Sequence, residues 1–329
     1  GLDDKHAIKQ VDRCIGNEGI DIEALAPAWV RDQIAGRQDL VVNLDWTEFE
    51  ADAQSMLVLS SQTSHGRAVP LLWKTVVRSQ LKNRRNDHED DLLRRFREIV
   101  PIDVRVTVVA DRGFSDQKLF DFLGDELGFD FIIRFRGVVH VTSREGETRA
   151  ARDWIPGRGR TRMLRDARVT ADRCLVGTVV LAHDKDMDEP WCLAVGGSDR
   201  NAAEVKRLYG KRFTCEETFR DIKDLHFGFG MSWKRVTTTE RRDRLMLLAT
   251  LAQALLSLLG EAGERAGLDR VLKANTVKRR TMSLLRQGIR WYQLIPTMKP
   301  ERLRLLMQHF ERILAEHRWT ELLLAKREK

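Results

Sequence analysis

Residues 209–223 read YGKRFTCEETFRDIK. Placed on a single α-helix at about 100° per residue, Tyr209, Arg212, Glu216 and Lys223 fall within an arc of roughly 60°. Leu208, Cys215, Phe219 and Ile222 form an apolar stripe beside that arc, so the polar face skirts the core rather than pointing straight into water. From first to last the arc spans about 21 Å, the reach of several phosphates of a DNA strand. Arg220 lies near the same arc. Glu217 is the alternative acid, but sits about 100° away from it. A solvated charged face with an i, i+4 ion pair between Arg212 and Glu216 gives the same pattern. Deciding between the two readings requires the rest of the chain.

Upstream, the pattern alternates between strands and helices. Leu40–Leu44 (LVVNL) is a β-branched run ending at Asp45, followed by Met56–Ser60 (MLVLS) and Ala68–Val77 (AVPLLWKTVV), with a turn at His65-Gly66-Arg67. Asp87–Ile99 has helical spacing, with Leu92, Leu93, Phe96 and Ile99 on one side. Val104–Ala110 is a further strand ending at Asp111. Ser115 is the predicted cap of a helix reaching Leu127, and Phe129–Phe135 is a fifth strand. Three meandering strands followed by helix, strand, helix and strand make a mixed sheet with helices against it. Aspartates that end strands are common turn formers. They also converge readily at one edge of a sheet, where α/β layers place ligands.

Residues 136–198 change character. VVHVTS, TRMLRDARVT, CLVGTVVLAH and PWCLAVGG are short β patterns separated by Gly, Pro and Asp, which predicts an all-β insertion. From Asn201 the chain is helical to its end. Residues 1–38 also read as helical, anchored by Ile20, Ile22, Leu25 and Trp29 and punctuated by Pro27. Leu245–Leu259 (LMLLATLAQALLSLL) is apolar but spans about 15 residues where a membrane helix needs about 20. Gln253 and Ser257 interrupt it, which predicts a buried helix and no membrane partner.

With 57 Lys and Arg against 49 Asp and Glu, the net charge is +8. An excess of this size favours a polyanionic partner, most commonly nucleic acid. Cys14, Cys174, Cys192 and Cys215 form no C-x-x-C pair, which argues against a zinc site or a disulfide framework and fits a reducing cytosol. The polar N-terminus is no signal peptide. It begins with Gly, as a fragment would.

The spacing Tyr209, two residues, Arg212, three residues, Glu216, six residues, Lys223 resembles the signature of the insertion-sequence-four family of bacterial transposases at every position. Val109–Phe114 (VADRGF) resembles that family's second catalytic Asp segment, and Asp45-Trp46-Thr47 the first. Glu189-Pro190-Trp191 resembles the segment carrying its insertion-domain tryptophan. Gly230–Arg242 and Ala274–Val277 look like the branch containing the Tn-ten transposase. The resemblance covers roughly residues 40–290. Residues 1–38 resemble the end of the family's N-terminal end-recognition domain, most of which is missing from this sequence.

The resemblance implies an RNase H-like α/β (α+β) fold: a mixed sheet with flanking helices, an all-β insertion before the helix carrying the catalytic Glu, and a helical C-terminal region. The corresponding division is 1–38 (end-binding remnant), 39–135 (first part of the core), 136–199 (β insertion), 200–227 (catalytic helix) and 228–329 (helical region). It further implies that Asp45, Asp111 and Glu216 hold two Mg²⁺ ions, for which Mn²⁺ substitutes, and that they cut transposon inverted-repeat ends and join them to target DNA through a hairpin. Such ions activate an attacking water and stabilise a leaving 3′ oxygen. Tyr209, Arg212, Arg220 and Lys223 are then expected on DNA phosphates. Trp191 is expected to stack on an extruded base, unless it is simply a core tryptophan of the insertion. A homodimer on paired ends, associated with the bacterial nucleoid in the cytoplasm, is the expected assembly. Lys234, Arg235, Arg241, Arg242, Lys278, Arg279 and Arg280 are weaker candidates for backbone contacts. The competing readings are a catalytically silent DNA-binding remnant or transposition inhibitor, and an RNase H-like nuclease without a joining step.

Overall fold

The computed structural model describes residues 4–317 apart from 65, 198, 226, 227, 234 and 275. Helices α1 (Asp4–Ile15) and α2 (Ile22–Ile34) come first; Asp21 caps α2 by accepting from the Ala24 amide, and Pro27 lies inside it. Leu25 does not anchor this segment, because it points outward, 44% exposed, while Ala26, Trp29, Val30 and Ile34 carry the buried face. Strand β1 (Asp39–Phe49) then pairs antiparallel with β2 (Gln54–Ser61), and β3 (Val69–Val77) follows. Helix α3 (Arg85–Ile99) buries Leu92, Leu93, Phe96 and Ile99, as its spacing predicts. Strand β4 (Arg105–Ala110) runs parallel to β1.

After β4 the backbone makes a short 3₁₀ turn over Arg112–Phe114, and α4 (Gln117–Asp121) passes into a π-helical turn over Phe122–Glu126. The predicted Ser115 cap is therefore replaced. Asp116 accepts from the Lys118 amide at 3.1 Å, while the Ser115 hydroxyl turns back to the Arg112 carbonyl. Asp is as good a cap as Ser, so a two-residue shift leaves the sequence signal almost unchanged.

Strand β5 (Asp130–Arg134) lies parallel to β4. The region beyond it contains β6 (His140–Thr142), β7 (Thr148–Ala150), the short helix α5 (Ala151–Trp154), β8 (Arg160–Val169), β9 (Cys174–His183) and β10 (Trp191–Gly196). These strands do not form a separate sheet. Strand β10 pairs antiparallel with β5, so the whole is one ten-stranded mixed sheet in the order β3-β2-β1-β4-β5-β10-β9-β8-β6-β7. Gly196 makes the junction possible, since a Cβ there would meet the Phe131 ring at 2.2 Å.

The chain then continues as α6 (Ala202–Gly210), α7 (Phe213–Lys223), α8 (Thr239–Arg265), α9 (Leu284–Leu294) and α10 (Pro300–Ala315). It divides into two compact units. One comprises Gly36–Gln62 with Pro70–Arg220, and the other Gly1–Ala35 with Thr63–Val69 and Asp221–Lys329. In the second unit α8 packs against α1, α2, α9 and α10. Gly260 and Gly288 let α8 and α9 approach closely; a Cβ at either would strike a backbone carbonyl, at 2.0 and 1.7 Å. Helix α8 is longer than its predicted apolar core, and an 18-residue window within it, of mean hydropathy 1.7, meets the length and composition of a membrane span. It is not uniformly buried. Arg242, Thr250 and Gln253 lie inside, while Leu255 is exposed. Gln253 donates to the Ala68 carbonyl at 2.9 Å, which is how a polar side chain is accommodated in a helical core.

In the first unit, helices cover both faces of the sheet. Residues paired across parallel strands share a face, and successive residues alternate. Phe131, on the Val108 face, stacks on Phe120 of α4, and Trp46, on the same face, meets Glu89 of α3. Val109 and Ile132, on the opposite face, pack with Val205, Leu208 and Tyr209 of α6. The face under α6 also carries Val41 and Asn43.

Candidate active site

The β1–β4 pairing ends at Leu44 opposite Ala110. Asp45 and Asp111 are the next residue on each strand. Their backbones remain extended, so both side chains follow Asn43 and Val109 onto the α6 face. Asp45 does not end its strand as its sequence setting predicts. Strand β1 runs on to Phe49, because β2 continues to pair with it as far as Gln54. Only the parallel partner stops, and that break opens the edge where the two aspartates stand side by side. Asp111 leaves β4 and caps the following turn, accepting from the Gly113 amide at 2.7 Å.

The single helix expected over 209–223 is two helices. Between α6 and α7 the chain turns at Lys211-Arg212, and the amides of Arg212, Thr214 and Cys215 donate to carbonyls three residues back. This 3₁₀-like tightening advances the helical phase, so the four signature residues do not share one exposed arc. Tyr209 is 1% exposed and belongs to the core beneath α6. Arg212 is buried at the turn, whereas Glu216 extends from the first turn of α7, half exposed. Arg220 is exposed and pairs with Glu217. Lys223 ends α7.

Burial turns Arg212 toward the carboxylates. Its guanidinium donates to Asp45 Oδ2 at 3.1 Å and to Glu216 Oε1 at 2.5 Å. The i, i+4 pair considered from the sequence is therefore present, but it is one half of a bridge whose other half reaches 167 residues back in the chain. Asp45 also accepts from the Trp46 amide at 2.9 Å and from the Cys215 thiol at 3.3 Å. Burial pushes the Asp45 pKa up to about 6. Arg212 and the Cys215 hydrogen bond oppose that rise, and the negative charges of Asp111 and Glu216 add to it. Asp45 thus senses both other acids: the three occupy one electrostatic neighbourhood. Burial likewise raises the Cys215 thiol well above its usual range. Burial works against the charge of Arg212, but Asp45, Tyr209 and Glu216 together keep it firmly protonated.

Among the described residues, no three His, Cys, Asp or Glu side chains already stand as a ligand set for a metal ion. The donor chemistry nevertheless fits a hard divalent cation, with carboxylate oxygens as donors and one carboxyl, Asp45, raised chiefly by its burial. Between Asp45 and Glu216 lies the positive charge of Arg212, paired with both.

Trp191 opens β10 half-buried, its ring edge-on to Tyr209 with centroids 4.8 Å apart. It is thus part of the core packing and adjoins the site through Tyr209. Several of the weaker basic candidates are structural. Arg242 is fully buried and donates to the Met231 carbonyl, Arg241 pairs with Asp12, and Arg280 pairs with Glu264. Lys234 lies outside the described residues. Two features were not anticipated from the sequence. One is the Cys215 contact to Asp45. The other is the Trp46 indole donating to Glu89 at 2.7 Å beneath the guanidinium of Arg85. Trp46 neighbours Asp45 in the quoted segment, but nothing in the spacing of α3 identified Glu89 as its partner.

Two aspartates thus follow the last pair of adjacent parallel strands, and one of them is joined through Arg212 to a glutamate of α7. The chain belongs to the Transposase DDE domain family, whose model matches residues 68–255, more than half of its length. Asp111 and Glu216 fall inside the matched segment and Asp45 precedes it. No curated protein matches the chain. Membership makes it an enzyme of DNA transposition, and the mixed sheet with flanking helices is consistent with the RNase H-like fold expected of it.

Proposed function

We propose that this transposase cuts transposon ends and joins them to target DNA at one centre made by Asp45, Asp111 and Glu216. The observation that carries this reading is the placement of Asp45 and Asp111 one residue beyond the last β1–β4 pair, with Glu216 joined to Asp45 through Arg212. Bound between these carboxylates, Mg²⁺ or Mn²⁺ would supply charge stabilisation at the attacking and leaving oxygens. Asp45, Asp111 and Glu216 would hold the ions between them.

The protein's own residues prepare this site. The Trp46 amide and the Cys215 thiol orient Asp45, and the Gly113 amide orients Asp111. Arg212, once the carboxylates have another counter-ion, is free to turn to a DNA phosphate, a role suited to its planar fork of donors. Arg220 and Lys223 extend that contact along α7. Tyr209, being in the core, acts by supporting Trp191 and Arg212. We further propose the insertion-sequence-four branch related to the Tn-ten transposase, a hairpin intermediate with Trp191 against the extruded base, and a dimer on paired ends at the bacterial nucleoid. On this reading residues 39–135 and 200–227 form the catalytic core, 136–199 the insertion, 228–329 the helical region and 1–38 the remnant of an end-binding domain.

The test is cleavage of the flanking inverted repeats in Mg²⁺ by the wild type and by Asp45→Asn, Asp111→Asn and Glu216→Gln. Each variant should retain DNA binding and lose nicking. Near-normal nicking by any one of them would remove that residue from the centre. Strand transfer from pre-cut ends separates the transposase from a nuclease that only cleaves.

A further inference from the structure

A cavity of about 630 Å³ lies along α6 on the same face of the sheet as the carboxylates, lined by Arg37, Gln62, Arg105, Arg200, Arg207 and Lys211. It begins at the other end of the strands, where Asp39 of β1 pairs with Arg105 of β4. It reaches Lys211, the residue before Arg212. From that first strand pair to Asp45 and Asp111 is six residues, or about 20 Å at about 3.3 Å per residue. That corresponds to about six base pairs of duplex rise.

The basic residues of this groove are of two kinds. Arg105 and Arg200 are neutralised: both reach Asp130, at 2.8 and 3.5 Å, and Arg200 also reaches Glu204 and the Thr107 hydroxyl. These contacts hold the ends of β4 and β5 to the start of α6. Arg207 and Lys211 are one helical turn apart and make no ion pair among the described residues. Among the described residues Arg37 has only the Ser61 hydroxyl, at 3.3 Å. Gln62 fixes the wall between them by donating to Asn43 and to the Leu208 carbonyl. Of the lining residues, only Val41 and Leu208 offer apolar surface of any size; the groove's carboxylates are Asp39 at its far end, Asp199, which pairs with Arg165, and Glu204, which pairs with Arg200. Small-molecule pockets are mostly apolar; a track of unneutralised cations beside a fixed polar wall suits backbone phosphates.

We infer that the α6 groove is a second DNA-backbone site. It would hold the duplex running away from the cut, through Arg37, Arg207 and Lys211. The inference rests on the transposase reading for its choice of polyanion, but not on any catalytic step.

The experiment measures binding of the full chain to a duplex of arbitrary sequence, in EDTA, across a salt series. For Arg207→Ala/Lys211→Ala the slope of log affinity against log salt should fall by roughly two, because each lost phosphate contact removes about 0.9. Affinity at moderate salt should drop at least about tenfold, with unchanged thermal stability. The charge-preserving pair Arg207→Lys/Lys211→Arg should bind nearly as the wild type. Arg105→Ala should instead lower stability. An unchanged slope in the double alanine variant, with the wild type binding normally, overturns the groove and leaves the transposase reading standing. Absence of salt-dependent binding by the wild type overturns both. Displacement of the duplex by millimolar deoxynucleoside triphosphate would make the groove a mononucleotide site and overturn the duplex assignment.

Discussion

Arg212 and Asp45 are joined by a 3.1 Å salt bridge in which both side chains are largely buried, and the same guanidinium reaches Glu216. Breaking a buried pair from one side leaves a charge without its partner and typically costs about 3 kcal/mol or more. Arg212→Ala should therefore destabilise the metal-free protein by about that amount in urea unfolding with EDTA present. Added Mn²⁺ should restore part of the loss, because a divalent ion compensates the same carboxylates and stabilises by mass action. A variant as stable as the wild type in EDTA would mean that the bridge contributes nothing.

Asp45 governs the pH response. Burial raises its pKa from 3.8 to about 6, so the folded protein binds this proton more tightly than the unfolded chain. The resulting stability is fully present below pH 4 and is lost as pH rises through about 6. Asp45→Asn should remove that part of the pH dependence and abolish cleavage. At limiting Mg²⁺, cleavage by the wild type should fall as pH drops below about 6, where a proton competes with the metal for Asp45. Melting curves and nicking rates across pH 5–8 check both; a flat wild-type rate over that range would contradict the assignment.

Glu89 has the same sign at a different place. Burial raises it to about 7, although the Trp46 indole and Arg85 favour its ionised form. Its contribution to stability is present below about pH 4.5 and disappears through pH 7. Glu89→Gln keeps an acceptor for the indole and removes the charge. The variant should therefore show a shallower decline in melting temperature between pH 5 and 8, with Trp46 fluorescence unchanged. A decline identical to that of the wild type would show that Glu89 does not titrate there.

Much of the sheet was legible because its signals are local. The β-branched runs ending near Asp45 and at Asp111, and the spacing of α3, follow directly from period-two and period-3.6 burial. The extension of β1 past Asp45 was hidden, because Asp45, Thr47 and Glu48 interrupt the apolar run and the strand there is paired by β2 alone. The break in the 209–223 helix was also hidden. Gly210 is a weak breaker, and the 3₁₀ turn that buries Arg212 is accompanied by its contact to Asp45 on a distant strand. The three acids could be named from motif and spacing. That an arginine of the same motif would lie between two of them could not, since one-dimensional spacing does not distinguish a residue facing DNA from one facing its own carboxylates.

Trp191 separates packing from recognition. Its ring meets Tyr209 edge-on and is only partly covered. Trp191→Phe should keep the aromatic contact and most hairpin formation. Trp191→Ala should lose about 2–4 kcal/mol of stability through the cavity left beside Tyr209 and, at a temperature where it remains folded, nick ends without closing hairpins. Normal hairpin yield from the folded alanine variant would confine Trp191 to the core.

The most direct measurement is a crystal structure of the protein with Mn²⁺ and a DNA end, with the metal located by anomalous scattering. Manganese should lie among Asp45, Asp111 and Glu216, with the Arg212 guanidinium withdrawn from both Asp45 and Glu216. Manganese bound elsewhere, with the Arg212 bridge intact, would contradict the account.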